Sequence, residues 1–389
     1  MDFEFTEEQK AWREEIRRFI KENATPGLYE EIREAGGETS SGPETRAWTK
    51  KLVEKGYYGV GWPKEYGGQG KGAIEQWMLQ DELAYAGLPG GGTGLTMMGP
   101  TIMRVASDEM KKEYLPRILK GEIRFALGYS EPDAGSDLAR LDCRAVMDGD
   151  EIVINGQKIW NTGAHTCTHE WLAVRTDPNV PRHKGISVVI VPLDSRGITI
   201  KPTYTWAGVR TNQVFFDDVR VPRKNLVGEA NQGWYYIVSA LDFERVAVGN
   251  NGDLRRLFEE FRAFLKETKI NGQCLAEDPV IATKLASIAI DLQACRLLSL
   301  RNAVMIDKGQ IPNAEASMVK VFNSELKVRM GDLGMQILGL YGQLKTESKW
   351  APLAGRIEKL YRMGPVHCFW GGTNEIQRDI IARRGLRLG

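Results

Sequence analysis

"RAVMDGDEIVINGQKIW", residues 144–160, is where a helical pattern has given way to strands. Two turn-forming pairs, Asp148-Gly149 and Asn155-Gly156, flank the apolar run Ile152-Val153-Ile154. Each pair favours the left-handed backbone of a two-residue turn, so both are read as hairpin signals. Downstream, "WLAVRT", "GISVVIVPL", "GITIKPT" and "NQVFFDDVRVP" are short runs bounded by turn residues. No gap between them has room for a crossover helix. An antiparallel sheet or barrel is therefore expected from about Arg124 to Gly228.

On either side the period is helical. Thr6 stands three residues before Gln9, the spacing of a capping box, and Trp12, Ile16, Phe19 and Ile20 follow at helical intervals. Further helices are expected from Glu44 to Lys55 and from Ala73 to Ala86. Between them "GYYGVGWPKEYGGQGKG" is too rich in Gly and Pro to be helical. After Gln232, long helices are expected from Gly233 to Thr268, Pro279 to Lys308 and Asn313 to Leu340, with a closing helix after Thr373. The layout is α+β: an N-terminal helical domain over 1–123, a middle β domain over 124–229 and a C-terminal helical domain over 230–389. No internal repeat is visible.

The 389 residues are enough for two or three units around sizeable cores. A formal net charge of +1 gives no reason to expect bulk binding to nucleic acid or an anionic membrane. The five Cys are scattered without a C-x-x-C pair, and the four His lack H-E-x-x-H spacing. That pattern reads as reduced thiols in a cytoplasmic protein, with no disulfide frame and no metal site. "MDFEFTEEQK" lacks a signal pattern, and runs such as "ISVVIV" are too short to span a bilayer.

Several short stretches have two readings each. "GQGKGA", residues 68–73, formally matches a dinucleotide fingerprint but does not follow a buried parallel strand, so it is read as a loop. "GYSEPDAGSD", residues 128–137, is either a polar linker or a loop of hydroxyls and N–H groups that meets a planar, polar ligand. In "QKIWNTGAH", residues 157–165, Trp160 is either core or a wall against an aromatic cofactor. In "FWGGTNEIQR", residues 369–378, Thr373 or Asn374 caps a helix preceded by two Gly. That is an ordinary helix start, or a place where free N–H groups and the helix dipole favour a pyrophosphate. In "LDFERV", residues 241–246, Glu244 belongs to a solvated face or, among Phe243, Val246 and Val248, is an acid poised for proton transfer.

Taken together these stretches resemble the acyl-CoA dehydrogenase family of flavoproteins, over nearly the whole chain and in the right order. "EYGGQG", "YSEPDAGSDLA", "NGQKIWNTGA", "QILGLYG" and "GGTNEIQRDIIA" are similar to the family's motifs. Arg140 departs from the first signature at its small-residue last position, and Leu340 replaces a usual Gly or Ser in the second. The resemblance implies a helical, β and four-helix-bundle architecture with FAD as cofactor.

By the same resemblance, Tyr129, Ser130, Trp160 and Thr162 meet the flavin, and Gly372, Thr373 and Glu375 lie along its ribityl–pyrophosphate–adenine arm. Ser136 touches substrate and cofactor, and Gln336 and Gly339 reach the FAD of a neighbouring subunit. Asp242 and Arg245 stand beside the CoA arm.

Many family members carry the catalytic Glu at the position of Gly371. In the isovaleryl-CoA and long-chain branches the base lies on the helix after the β domain, in a pattern like L-D-x-E-R. This chain reads "LDFER", so the resemblance moves the base to Glu244, while the Gly371 backbone N–H still polarises the thioester carbonyl. The α-proton goes to Glu244 and the β-hydrogen leaves as hydride to the flavin. The implied partners are an acyl-CoA, an electron-transferring flavoprotein as acceptor, and further subunits, as a homodimer, a homotetramer or a heterotetramer with a paralogue.

The region "EEFRAFLKETKINGQCLAEDPV" contains Arg262 and Phe264 but not the family's R-x-F-G element. That supports a rival reading, a non-catalytic or half-active subunit of a heteromeric dehydrogenase. A third reading is an oxidase or other thioester chemistry on the same fold. "GLPGGGTGLTMMGP", residues 87–100, is Gly-rich where the family builds its acyl pocket, so a bulky, branched or ring-bearing acyl group is expected.

Overall fold

The computed structural model describes residues 4–35, 41–248 and 251–388, with 241–248 described by their backbone alone. The N-terminal third is helical: α1 Glu7–Asn23, α2 Pro26–Glu34, α3 Pro43–Glu54, α4 Ala73–Ala86, α5 Gly99–Val105 and α6 Asp108–Leu119. Seven strands follow: β1 Phe125–Gly128, β2 Arg144–Asp148, β3 Glu151–Lys158, β4 His169–Arg175, β5 Ile186–Pro192, β6 Ile198–Tyr204 and β7 Arg210–Pro222. Then come α7 Gly233–Val248, α8 Gly252–Glu267, a hairpin of β8 Lys269–Ile270 and β9 Gln273–Cys274, α9 Pro279–Asp307, α10 Asn313–Leu338, α11 Arg356–Phe369 and α12 Asn374–Ile380. The α+β layout of helices, sheet and helices is the one expected from the sequence.

The capping box forms as the spacing requires. The Gln9 amide donates to Thr6 Oγ1 and the Thr6 amide to Gln9 Oε1, both at 3.2 Å. Helix α2 escaped the sequence reading although it starts with a standard signal, since Thr25 caps it by accepting from the Leu28 amide and Pro26 follows at its first position. The segment expected as one helix from Gly233 to Thr268 is two, α7 and α8. Asn251 precedes α8, and its side chain donates to the Leu292 carbonyl at 3.1 Å, a contact no local pattern announces.

The sheet is mostly antiparallel, with two exceptions. Strand β1 pairs with β4 in parallel, from Phe125 opposite His169 to Gly128 opposite Leu172, and β2 touches β4 in parallel at Arg144 and Arg175. Asp148-Gly149 is the expected hairpin turn between β2 and β3. Asn155-Gly156 is not a turn. It lies inside β3, where the register against β7 shifts between Ile154 and Gly156.

The physical reason is a bulge. Gly156 has φ +149, and a Cβ there would stand 2.7 Å from the Cys143 Cα. Gly156→Ala is therefore expected to destabilise the protein by about 1–3 kcal/mol, read as a lowered denaturant midpoint. An unchanged midpoint would show that the bulge can relax.

Backbone contacts group the chain into two compact units. One comprises 21–72 and 89–244, the other 1–20, 73–88 and 245–389. In the first, β4 is buried on both faces. Trp171 and Ala173 join a core with Trp62, Met97, Ile102 and Ile190. Leu172 and Val174 join a second core with Ile152, Ile154, Val189 and Val191. Burial on both faces explains the unbroken apolar runs in β4 and β5.

In the second unit, α8, α9, α10 and α11 share one core that includes Phe258, Phe261, Leu285, Leu292, Met330 and Ile357. Helices α1 and α4 belong to this unit. Trp12 Nε1 of α1 donates to the Glu75 carbonyl of α4 at 3.1 Å. Among the described residues, no helix is long and apolar enough to cross a membrane, and no cluster of three or more His, Cys, Asp or Glu could hold a metal. All five Cys are free thiols.

Candidate flavin site

The first unit gathers Tyr129, Ser130, Trp160 and Thr162. Glu131 organises the loop that carries the first two. It is buried, and its carboxylate accepts from the amides of Asp142 at 2.6 Å and Cys143 at 2.9 Å and from the fully buried Lys158 ammonium at 2.7 Å. Lys158 also donates to the Tyr129 carbonyl at 3.0 Å, and the Ile159 amide donates to the Ser130 carbonyl at 2.9 Å. The Tyr129 ring packs in the core, so that residue faces a ligand only by its backbone. Ser136 is exposed further along the same loop, and a Cβ at neighbouring Gly135 would meet nothing within 4 Å. Glu131, Asp133 and Arg140 also line a pocket of about 560 Å³ with Asp142, Arg175 and Arg182.

Trp160 lies just past the end of β3 with its indole 58% exposed and φ at +63. A bulky residue in left-handed backbone is strained, and such strain persists only where the surroundings over-determine it. Asn161 supplies that constraint. Its amide donates to the Asn212 carbonyl at 3.0 Å, and its own carbonyl accepts from Asn212 Nδ2 at 2.9 Å. Thr162 Oγ1 donates to Thr211 Oγ1 at 3.3 Å. An exposed indole on a constrained backbone suits a planar aromatic ligand better than it suits water.

The second unit carries the turn 369–374. Gly371 and Gly372 have φ of +61 and +88. A Cβ at Gly371 would meet nothing within 4 Å. Thr373 is the cap, its Oγ1 accepting from the Ile376 amide at 3.2 Å. Glu375 is exposed in the first turn of α12.

Two buried side chains, Gln377 and Lys320, hold this turn, and the sequence reading missed both. Gln377 Nε2 donates to the Gly371 carbonyl at 3.2 Å. Lys320 of α10 donates to the Cys368 carbonyl at 2.9 Å and to Asn374 Oδ1 at 2.8 Å. Burial pushes the Lys320 ammonium down to about 8 and the nearby His367 down to about 3. The available signal was a Lys among small and polar residues at helical spacing, Ala316, Ser317, Asn323 and Ser324. On α10, Gln336 is exposed and bonded to Lys284 at 3.3 Å and Asp332 at 2.7 Å, and Gly339 ends the helix at φ +54. Glu244, Asp242 and Arg245 lie in α7, where side chains are outside the described residues.

Three family descriptions cover the chain. The N-terminal domain of acyl-CoA dehydrogenase matches residues 6–122, the middle domain 126–219 and the C-terminal domain 231–386. The chain belongs to the acyl-CoA dehydrogenase family. It is 38% identical over 396 residues to acyl-CoA dehydrogenase FadE26 of Mycobacterium tuberculosis, covering 100% of this chain and 99% of that one. Among solved structures, the Tcur3481-Tcur3483 steroid ACAD is 40% identical with a TM-score of 0.92, covering 100% of both chains. The ChsE4-ChsE5 complex from Mycobacterium tuberculosis is 39% identical with a TM-score of 0.91, again over 100% of both chains.

Members of the family are oxidoreductases acting on CH–CH bonds, and their cofactor is FAD. The residues present fit FAD. In the first unit the exposed Trp160 indole offers a stacking wall. In the second a Cβ at Gly371 would meet nothing within 4 Å, whereas one at Gly372 would come 2.6 Å from Gln377 Nε2. FAD supplies the acceptor for the hydride taken from substrate.

Proposed function

We propose that this chain is an acyl-CoA α,β-dehydrogenase in which Glu244 takes the α-proton. The observation that carries the reading is Gly371, a left-handed residue with open space where a side chain would be, in a chain whose α7 reads "LDFER". A backbone donor needs no side chain, so the Gly371 N–H can polarise a thioester carbonyl while the proton goes to an acid elsewhere. Gln377 steadies that turn by binding the Gly371 carbonyl. Tyr129, Ser130, Trp160 and Thr162 would hold the flavin ring. Gly372, Thr373 and Glu375 would hold the rest of the cofactor, and Gln336 and Gly339 would reach that of a neighbouring subunit. Ser136, Asp242 and Arg245 would bind the CoA thioester. The working protein would be cytoplasmic and pass electrons to an electron-transferring flavoprotein.

The substrate would be a bulky, branched or ring-bearing acyl-CoA. The neighbour described as a steroid ACAD supports this. The glycines of 87–100 support it less than the sequence implied, because Gly99 is needed for packing. A Cβ there would come 2.1 Å from the Trp62 ring. Among the others, Gly92 is open, with nothing within 4 Å.

A second reading has a specific observation behind it. The ChsE4-ChsE5 structure is a complex of two named chains, which fits a subunit that assembles with a paralogue.

The test is anaerobic mixing of the singly expressed protein with straight, branched, ring-bearing and steroid-side-chain acyl-CoAs while flavin absorbance is followed. Bleaching that is fastest with the bulky thioesters is expected. Turnover best on butyryl- or octanoyl-CoA would remove the bulky-substrate reading. Absence of bound FAD, or no bleaching with any thioester, would favour the partner-subunit reading.

A further inference from the structure

A buried acid lies directly behind the Trp160–Thr162 turn. Glu170 is the second residue of β4 and shares its face with Leu172 and Val174, so its carboxyl points into an apolar core. It is completely buried. Gly128 of the neighbouring strand makes the room, since a Cβ there would come 2.6 Å from Glu170 Oε1. That oxygen accepts a hydrogen bond from Asn161 Nδ2, which also donates to the Leu127 carbonyl at 2.9 Å. With the two backbone bonds to Asn212, Asn161 is fastened at its side chain and on both sides of its backbone. A leucine would serve packing on this strand face better than an acid, because burying a carboxyl costs free energy that packing alone does not return.

We propose that Glu170 is a positioning residue for the flavin face, which through Asn161 holds the Trp160–Thr162 turn in its left-handed shape. The proposal rests on the reading that this turn meets the flavin. The groups facing Glu170 are Lys158 of β3, Cys143 before β2 and Cys167 before β4. Burial pushes the Glu170 carboxyl up to about 8, against the opposing pull of the Asn161 bond and the Lys158 charge.

The sign follows from a folded pKa above the unfolded one. The stabilising contribution is complete below the unfolded carboxyl range, near about 4.3, and is lost as pH rises through the folded value. Ionisation puts an unscreened charge in that core, so the turn loosens on the alkaline side.

Two variants test this, with amide hydrogen exchange of residues 158–168 and FAD affinity as the readouts. Glu170→Leu is expected to raise exchange of that segment and to weaken FAD binding, each by about tenfold, as the loss of one buried hydrogen bond implies. Glu170→Gln keeps the acceptor oxygen. It should match wild type at about pH 4 and, after correction for intrinsic rates, show none of the wild-type loosening by about pH 9.

Unchanged exchange in Glu170→Leu would overturn the proposal. Loosening of the turn with FAD affinity unaltered would overturn instead the flavin placement on which it rests. If Glu170→Leu does not fold, the alkaline limb decides, and the same pH dependence in wild type and Glu170→Gln would sink the idea.

Discussion

Glu244→Gln is expected to keep its FAD and to bleach about 100-fold or more slowly than wild type on anaerobic mixing with acyl-CoA. The change is isosteric and removes only the ability to take a proton, so cofactor binding and fold serve as internal controls. The magnitude follows from the chemistry. An α-hydrogen of a thioester is weakly acidic, and polarising the carbonyl lowers the barrier only partway. A positioned base supplies the rest, typically about 10²–10⁴-fold. In the proposed reading Gly371 serves the same step. Its backbone can donate to the carbonyl but offers no carboxylate, so the chain needs an acid from another element. Bleaching unchanged in Glu244→Gln would mean that a different residue takes the proton, and the first acids to replace in turn would be those nearest the turn 369–374.

The parts of this fold visible in the sequence are those specified within a few residues. The Thr6–Gln9 box, the Asp148-Gly149 hairpin and the Thr373 cap are local devices, and each appears where its spacing puts it. The parts missed depend on partners far along the chain. Asn155-Gly156 carries the backbone preference of a turn, yet the approach of Cys143 and the pairing with β7 make it a bulge inside a strand. The parallel pairing of β1 with β4 joins residues more than forty positions apart, and no turn signal encodes it.

The site shows the same division. Trp160, Gly371 and Thr373 were legible because their residue types are unusual for their positions. Lys320, Asn161, Glu170 and Gln377 were not, because a buried polar group announces itself only when its partner is seen. Each holds a residue that was legible: Lys320 and Gln377 fasten the glycine turn, and Asn161 and Glu170 fasten the Trp160 backbone.

Glu131→Ala is expected to be the most destabilising single change in the β domain, at about 3–5 kcal/mol, the range for breaking one partner out of a buried ion pair. In sequence Glu131 reads as one more polar residue of a loop. In the structure it is 8% exposed and accepts three hydrogen bonds, from two backbone amides and from Lys158. Removing it leaves the amides of Asp142 and the buried Cys143 without that acceptor and leaves the Lys158 ammonium, itself 0% exposed, with the Tyr129 carbonyl.

The pair is better explained as a device that fixes shape than as a source of net stability. Desolvating two charges offsets much of their attraction. Replacing both, as Glu131→Leu with Lys158→Met, should therefore cost less than Glu131→Ala alone, which a double-mutant cycle in denaturant measures directly. If the single change costs less than about 1 kcal/mol, the pair behaves like a solvated surface bridge and cannot be what holds the loop. If the double change restores stability but FAD affinity stays low, the pair's contribution is positional. It then keeps the Ser130 carbonyl in register with the Ile159 amide and aligns the two strand ends that present Ser130 and Trp160.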